Sequence, residues 1–289
     1  MDVTRQQIGD TRAVGEDGRV PAAPRSPRSD LIDSRPLSAR SVLASAILGS
    51  DQGRLTVSEL VAVASLFGIS PGAARTCLWR MVSNGELTAD DGSYTLAGRL
   101  SERRQRVDEA ARIDDAAPRR WDGTWELAVV ALERRSAADR LELRKAATAL
   151  HLAELREGVW IRPDNLDPQR FPTFRAVLDQ QCTHFHGAAT DMAADKVRSL
   201  FSLGEWADDA RTLIEAMNLA LKTGTRDNST ASFTFEFALS IAVVRHLQLD
   251  PLLPAELTGD HWPGHPLRST YRRFDRAFKQ RMKNAFRGP

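Results

Sequence analysis

Cysteine is nearly absent. Cys77 and Cys182 are the two in 289 residues, far apart and without C-x-x-C spacing, so neither a disulfide framework nor a zinc motif is written in the chain. That usage fits a reducing, cytoplasmic setting. An excess of charge is missing too. Forty basic against 38 acidic residues leave +2, so the chain as a whole has no pull on polyanions and any basic surface is local. Long apolar runs are missing: FALSIAVV (residues 237–244) is far short of the roughly 20 residues that span a bilayer, and no charged-then-apolar leader opens the chain. No membrane partner is expected. Motifs for chemistry are equally scarce. There is no G-x-S-x-G elbow, phosphate-binding Walker loop or dinucleotide glycine fingerprint, and neither an enzyme nor a cofactor is expected. His184 and His186 alternate on an expected strand and share one face, which suits a metal, but no third ligand is evident and no metal site is expected. Glu133 follows the first central strand beside arginines, not in an acidic cluster, and HWPGH (261–265) reads as a turn. No internal repeat is found.

What is present is enough apolar residue, 42%, for two or three small cores. Residues 1–35 mix proline, glycine and alternating charge with hardly a bulky apolar side chain, the composition of a disordered tail. Residues 36–98 read as one unit. SARSVLASAILG repeats Val42, Leu43, Ala46 and Ile47 at helical spacing, with Ser38 as N-cap and Gly49 as stop. TVSELVAVASLFG carries a capping box at Thr56 and Glu59 and ends at Gly68. A third helix opens on Ser70 and Pro71. Ala74, Cys77, Leu78, Met81 and Val82 line one face of it; Gly72, Thr76, Trp79 and Ser83 line the opposite face, flanked by Arg75 and Arg80. ELTADDGSYTLAG then reads as a hairpin turning at DDG.

Helix, helix, short turn, helix and hairpin is the order of a winged helix-turn-helix, whose third helix enters the major groove of double-stranded DNA. The candidate DNA-binding residues are Ser70, Gly72, Arg75, Thr76, Trp79, Arg80 and Ser83. Arginine can bond guanine edges or phosphates, and serine and threonine either. Trp79 suits a thymine methyl, a sugar, or packing on the neighbouring helix. A three-helix module for protein contact is the alternative use of the same pattern.

Residues 99–120 read as a charged, solvated connecting helix. Residues 121–194 change character: TWELAVVAL and GVWIRP are strands, SAADRLELRKAATAL a helix and THFHGAAT a further strand after a less ordered interval, as in a small ferredoxin-like α/β domain. Residues 195–289 are helical, with DKVRSLFSLGEWADDARTLIEAMNLAL read as continuous. The fold class is therefore α+β: winged helix, ferredoxin-like centre, all-helical end. Trp121, Trp125 and Trp160 are candidates to wall a ligand pocket, with Arg140 or Arg144 near a ligand's phosphates. Core packing for the tryptophans and helix-face ion pairs for the arginines is the favoured reading of any one of them. The last helix pairs an apolar stripe, Phe274, Phe278 and Met282, with a basic face for DNA, an acidic partner or solvent.

Several blocks carry a resemblance in combination: GISPGAARTCLWRM with YTLAG, WDGTWELAVV, Arg140 with Leu143-Arg144, GVWIRPDNL, and DPLLPAELTGDHWPG. Together, from about Ser38 to Phe278, the chain resembles the PaaX family of bacterial repressors, regulators of phenylacetic acid degradation and related catabolic genes. The resemblance implies a homodimer on operator DNA, a ferredoxin-like central domain akin to CRISPR adaptation nucleases, and release by an aryl-acyl-CoA effector. An acyl-CoA-binding enzyme is the alternative outside regulation. Trp79 stands where the family pattern has a smaller residue, and the long N-terminal tail is a second departure.

Overall fold

The computed structural model describes residues 37–50, 52–112, 120–188, 192–223 and 229–287. The tail expected over residues 1–35 lies outside them. The first unit runs α1 (Ala39–Gly49), β1 (Arg54–Thr56), α2 (Val57–Leu66), α3 (Pro71–Ser83), β2 (Leu87–Asp90) and β3 (Ser93–Leu96). Each helix starts where a side-chain oxygen takes up an orphan backbone donor. The hydroxyls of Ser38, Thr56 and Ser70 accept from the amides of Ser41, Glu59 and Ala73, and Glu59 closes the capping box; each such cap is worth about 1 kcal/mol. Leu43, Ile47, Leu60, Leu78, Met81 and Leu87 form the core between them. Asp91 and Gly92, both at positive φ (44° and 68°), make the two-residue hairpin turn whose twist matches the strands it joins. β1 was not expected, since three residues hold no readable period; it adds to the far side of β3, giving the order β1-β3-β2.

α4 (Gly98–Arg112) is the expected connecting helix, but it is not solvated all round. Leu100 is buried in the core of the first unit. Arg104 donates to the carbonyls of Ser50 and Ile47 at 3.0 and 3.4 Å, adding to the bonds these already accept from Gly53 and Ser50.

The central unit follows as β4 (Thr124–Val130), α5 (Ala137–Ala149), β5 (Ala153–Arg156), β6 (Val159–Pro163), α6 (Pro172–Gln181) and β7 (Cys182–Ala188). The sheet is antiparallel in the order β5-β6-β4-β7, so the chain is a ferredoxin-like βαββαβ unit with both helices on one face. Ala128, Trp160, Leu143, Ala146, Ala147 and Leu178 close that layer. α6 falls in the interval read as less ordered. It has no side-chain cap and starts from Phe171 in left-handed geometry, so Pro172 is its main start signal.

The last third is helical: α7 (Ala194–Leu200), α8 (Leu203–Thr223), α9 (Thr230–Gln248), α10 (Ala255–Thr258) and α11 (Gly264–Arg287). The helix expected to run unbroken from 195 is split, because Ser202 takes a φ of 49°, which no right-handed helix accommodates. Leu213, Met217, Leu239, Val243, Leu267 and Phe274 form its core. Trp206 stacks on His246 and on Trp262, each with centroids 4.6 Å apart. No helix among the described residues is long and apolar enough to cross a membrane.

Two seams join the units. At one, Val42 and Val63 of α1 and α2 meet Phe233 and Phe237 of α9 and Phe278 of α11. At the other, Leu253 and Leu257 pack with α7 against Trp125 and Ile161, on the sheet face the helices leave open. The second seam is tied by Asp250, which pairs with Arg268 of α11 at 2.6 Å, the two side chains 2% and 3% exposed. Asp250 also accepts from the Leu252 amide, and the Leu252 carbonyl accepts from the Asn165 side chain.

Replacing Asp250 with Leu strands the Arg268 charge in the interior and is expected to cost about 3–5 kcal/mol. The double substitution Asp250→Leu, Arg268→Met is expected to recover most of that loss. Urea-unfolding midpoints of the two variants check this; equal loss in both contradicts it.

Acid stability depends on the same region. Lost hydration, then the Arg170 and Arg162 charges, hold His151 well below the ordinary imidazole value, although it hydrogen-bonds the Asp250 backbone. Burial also lowers His246. Both rings therefore resist protonation when folded, while the unfolded chain takes up protons near pH 6.5. Stability is full above that pH and falls as pH drops below it. The expected outcome is a melting temperature that declines from pH 7.5 to 5.5, less steeply in His246→Gln.

Candidate functional site

Helical periodicity places two kinds of surface on α3. Ala74, Leu78 and Met81 are buried. Gly72, Arg75, Thr76, Trp79, Arg80 and Ser83 are exposed, Trp79 to 67%. Ser70 is exposed at the N-cap, its hydroxyl accepting from the Ala73 amide at 3.3 Å. A Cβ built on Gly72 would meet nothing within 4 Å, so the start of the helix is open to close approach. Of the basic residues around it, Arg40 is engaged by Glu86 at 2.8 Å, which holds its guanidinium in the charged form. Arg54 lies 3.4 Å from Asp90. Arg75 and Arg80, in contrast, pair with no carboxylate among the described residues. The hairpin beside α3 has an acidic tip, Asp90 and Asp91.

The five residues considered for a ligand pocket are not brought together. β4 and β6 pair with Leu127 opposite Ile161 and Ala128 opposite Trp160. Strand alternation therefore puts Trp125 on one face of the sheet and Trp160 on the other. Trp125 is buried and meets Trp121 edge-on, centroids 5.8 Å apart, and the Trp121 indole donates to the Thr124 carbonyl at 2.6 Å. Trp160 packs under α5 and α6. Arg140 and Arg144 are exposed on α5, away from the buried side formed by Leu143, Ala146 and Ala147.

A cleft of about 480 Å³ lies elsewhere, on the helical face of the sheet where the 164–170 segment and α6 meet β4, β6 and β7. Glu126, Arg162, Arg175, Asp179, His184 and His186 are among its lining. Glu126 is held by Arg175 and approached by His184 at 3.5 Å. The His184 ring also lies 3.1 Å from Asp179, and His186 lies 3.0 Å from Asp164. The two histidines thus share a face, as strand spacing required, but lie beside different carboxylates: His186 hydrogen-bonds Asp164, while the Nε2 of His184 is buried without a hydrogen-bond partner. Among the described residues no group of three or more His, Cys, Asp and Glu is placed to hold a metal.

Arg162 is the residue that motif reading passed over. It is 2% exposed and donates to three neutral oxygens: the Pro163 and Leu150 carbonyls, both at 2.9 Å, and Asn165 Oδ1 at 2.8 Å. Burial, with Arg170 next, lowers it to about 9. Its signal was visible as an arginine inside GVWIRP, a strand buried at every position of β6. Arginine is almost never placed there without a partner.

Comparison with known proteins gives three consecutive family matches. Residues 38–103 match the PaaX-like protein family, residues 118–197 the PaaX protein central Cas2-like domain, and residues 201–287 the PaaX-like protein C-terminal domain. Among solved structures, the uncharacterized protein Rv0674 from Mycobacterium tuberculosis is 34% identical. That match covers 86% of this chain and 98% of that one, with a TM-score of 0.64. No curated protein matches.

Proposed function

The chain belongs to the PaaX family, and from that premise we propose that it is a DNA-binding transcriptional repressor of a catabolic operon, released from its operator by a small-molecule effector. The observation that carries the DNA reading is the exposed face of α3. Two arginines that pair with no carboxylate among the described residues flank a stripe of glycine, threonine, tryptophan and serine. Small side chains let a helix sit deep in the major groove; the arginines supply charge at the phosphates or paired donors at guanine. The acidic tip of the hairpin gives it little attraction for phosphate. The load of contact therefore falls on α3 and not on the wing.

The protein acts as a homodimer on a palindromic operator, with one α3 per half-site and half-sites about one or two helical turns apart. The effector is an aryl-acyl-CoA, a class that rests on the family resemblance. It acts by binding better to the arrangement whose α3 helices are wrongly spaced for DNA, so that each ligand lowers the affinity for the other.

Fluorescence anisotropy on DNA from upstream of the gene tests this reading. Arg75→Ala and Arg80→Ala are each expected to cost about 1–3 kcal/mol of operator binding. A variant that loses a phosphate contact is expected to lower the salt slope by about one. Asp91→Asn removes a tip charge while keeping a residue that tolerates positive φ, and is expected to tighten binding slightly. Unchanged affinity in both arginine variants would take α3 out of the interface.

A further inference from the structure

Residues 18–29, GRVPAAPRSPRS, carry three arginines and no acid. The chain on either side differs. Residues 1–17 set Arg5 and Arg12 against Asp2, Asp10, Glu16 and Asp17, and residues 30–36 set Arg35 against Asp30 and Asp33. The positive charge ahead of α1 is therefore concentrated in residues 18–29. Their order also has a period. Pro21, Pro24 and Pro27 recur at every third residue, and Arg19, Ala22, Arg25 and Arg28 recur in the same step. Proline at this spacing favours polyproline II, which turns once every three residues and rises about 3.1 Å per residue. In that conformation the arginines share one edge and the prolines another, with Val20, Ala23, Ser26 and Ser29 on the third. Arg25 and Arg28 then stand about 9 Å apart along the axis. The fold decides where this stretch is delivered. Leu37 packs at the seam between the first unit and the helical third, and Ser38 caps α1. Arg40, in the first turn of α1, hydrogen-bonds Glu86 at 2.8 Å, and Glu86 lies between the end of α3 and β2. The Arg40 charge also acts on Cys77, in the middle of α3. The chain thus enters the first unit beside α3 and the root of the hairpin. From Leu37 back to Arg28 it can reach at most about 30 Å, close to one turn of duplex.

We propose that residues 18–29 are an arm that lies in the minor groove flanking the major-groove site of α3, with Arg25 and Arg28 as its contacts. The proposal rests on the DNA reading of α3 given above. A minor groove is about 6 Å wide, too narrow for a helix but open to a slim extended chain of alanine, serine and proline. Proline has no N–H to offer, so the donors aimed into the groove are the guanidinium groups. Narrow A·T-rich grooves concentrate negative potential and draw arginine in. The regular prolines also lower the ordering cost of binding. A proline-reading protein groove takes the same conformation, but the arginine edge and delivery beside α3 favour the duplex.

The test is fluorescence anisotropy of the full chain on promoter DNA, and on the same duplex with the A·T pairs flanking the site replaced by G·C. The double substitution Arg25→Ala, Arg28→Ala is expected to weaken binding about ten-fold and to lower the salt slope by about two. It is also expected to abolish the preference for A·T flanks that the wild type shows. Pro24→Gly with Pro27→Gly keeps every charge and is expected to weaken binding several-fold, through ordering cost alone. Arg12→Ala, in the balanced stretch, is expected to leave the affinity unchanged. Equal affinity of the wild type and the arginine double variant overturns the arm. A loss of the same size on both duplexes overturns the minor-groove assignment, since simple attraction to phosphate would give it. DNA binding that survives the arm substitutions but is lost in Arg75→Ala, Arg80→Ala overturns the arm and leaves the regulator reading standing. A wild-type protein that binds no DNA overturns both.

Discussion

The buried pair of Asp250 and Arg268 is the interaction on which the arrangement of the units depends. Its two charges are withdrawn from water at 2.6 Å, a geometry that offsets the desolvation cost only while both partners remain. Asp250 does more than neutralise Arg268. It also fixes the Leu252 amide, in a segment where Leu252 itself is held at a φ of 52°. That bend delivers Leu253 and Leu257 to the open face of the central sheet beside Trp125 and Ile161. One ion pair therefore sets both where α11 begins and how the helical third sits on the ferredoxin-like unit.

The opposite end of α11 is held by rings and not by charge. Phe274 stacks on Phe278 at 6.2 Å, Phe278 meets Phe237 edge-on at 6.4 Å, and Phe237 meets Phe67 at 5.0 Å. Phe67 closes α2, next to the turn that leads into α3. Aromatic contacts of this kind add about 0.5–1.5 kcal/mol each beyond area burial, and they are sensitive to small shifts because close-packed interiors deform in steps. The basic character of the last helix finds its use in this setting. Arg281 pairs with buried Glu236 and lies over the Phe233 ring at 4.8 Å, while Arg273 reaches Asn218 at 2.8 Å. Part of what the sequence displayed as a basic face is internal wiring of the helical third.

How much of this was legible depended on whether the signal was local. Capping at Ser38, Thr56 and Ser70 and the Asp91–Gly92 turn are decided by neighbours within four residues, and reading residue types in order found them. The inward and outward faces of α3 follow from its 3.6-residue period. What escaped was decided at a distance. β1 exists because β3 offers it an edge, α6 because Phe174, Val177 and Leu178 find the helical side of the sheet, and the split at Ser202 because α7 and α8 pack on different partners. The tryptophan pocket failed for a reason of register. The two strands that carry Trp125 and Trp160 were read as strands, though β5 was missed, and the pairing of Ala128 with Trp160, which sets the faces, is not written in either strand alone. α4 failed differently. Its polar composition read as solvated, yet Leu100 is buried in the core of the first unit and Arg104 reaches the carbonyls at the end of α1.

Arg162 joins these lines of argument. Strand alternation forces residue 162 onto the same face as Glu126, and β6 admits no exit to solvent. A purely structural arginine would be expected to face a carboxylate here, and Glu126 is adjacent in register; instead Arg175 of α6 takes that carboxylate. The fold thus spends its nearest anion on a helix-borne arginine and leaves the strand-borne one to carbonyl oxygens. A neutral side chain could satisfy carbonyl acceptors at far lower desolvation cost. What a guanidinium adds is a rigid fork of donors, which here holds the Pro163 and Leu150 carbonyls and Asn165 Oδ1 together from one side chain.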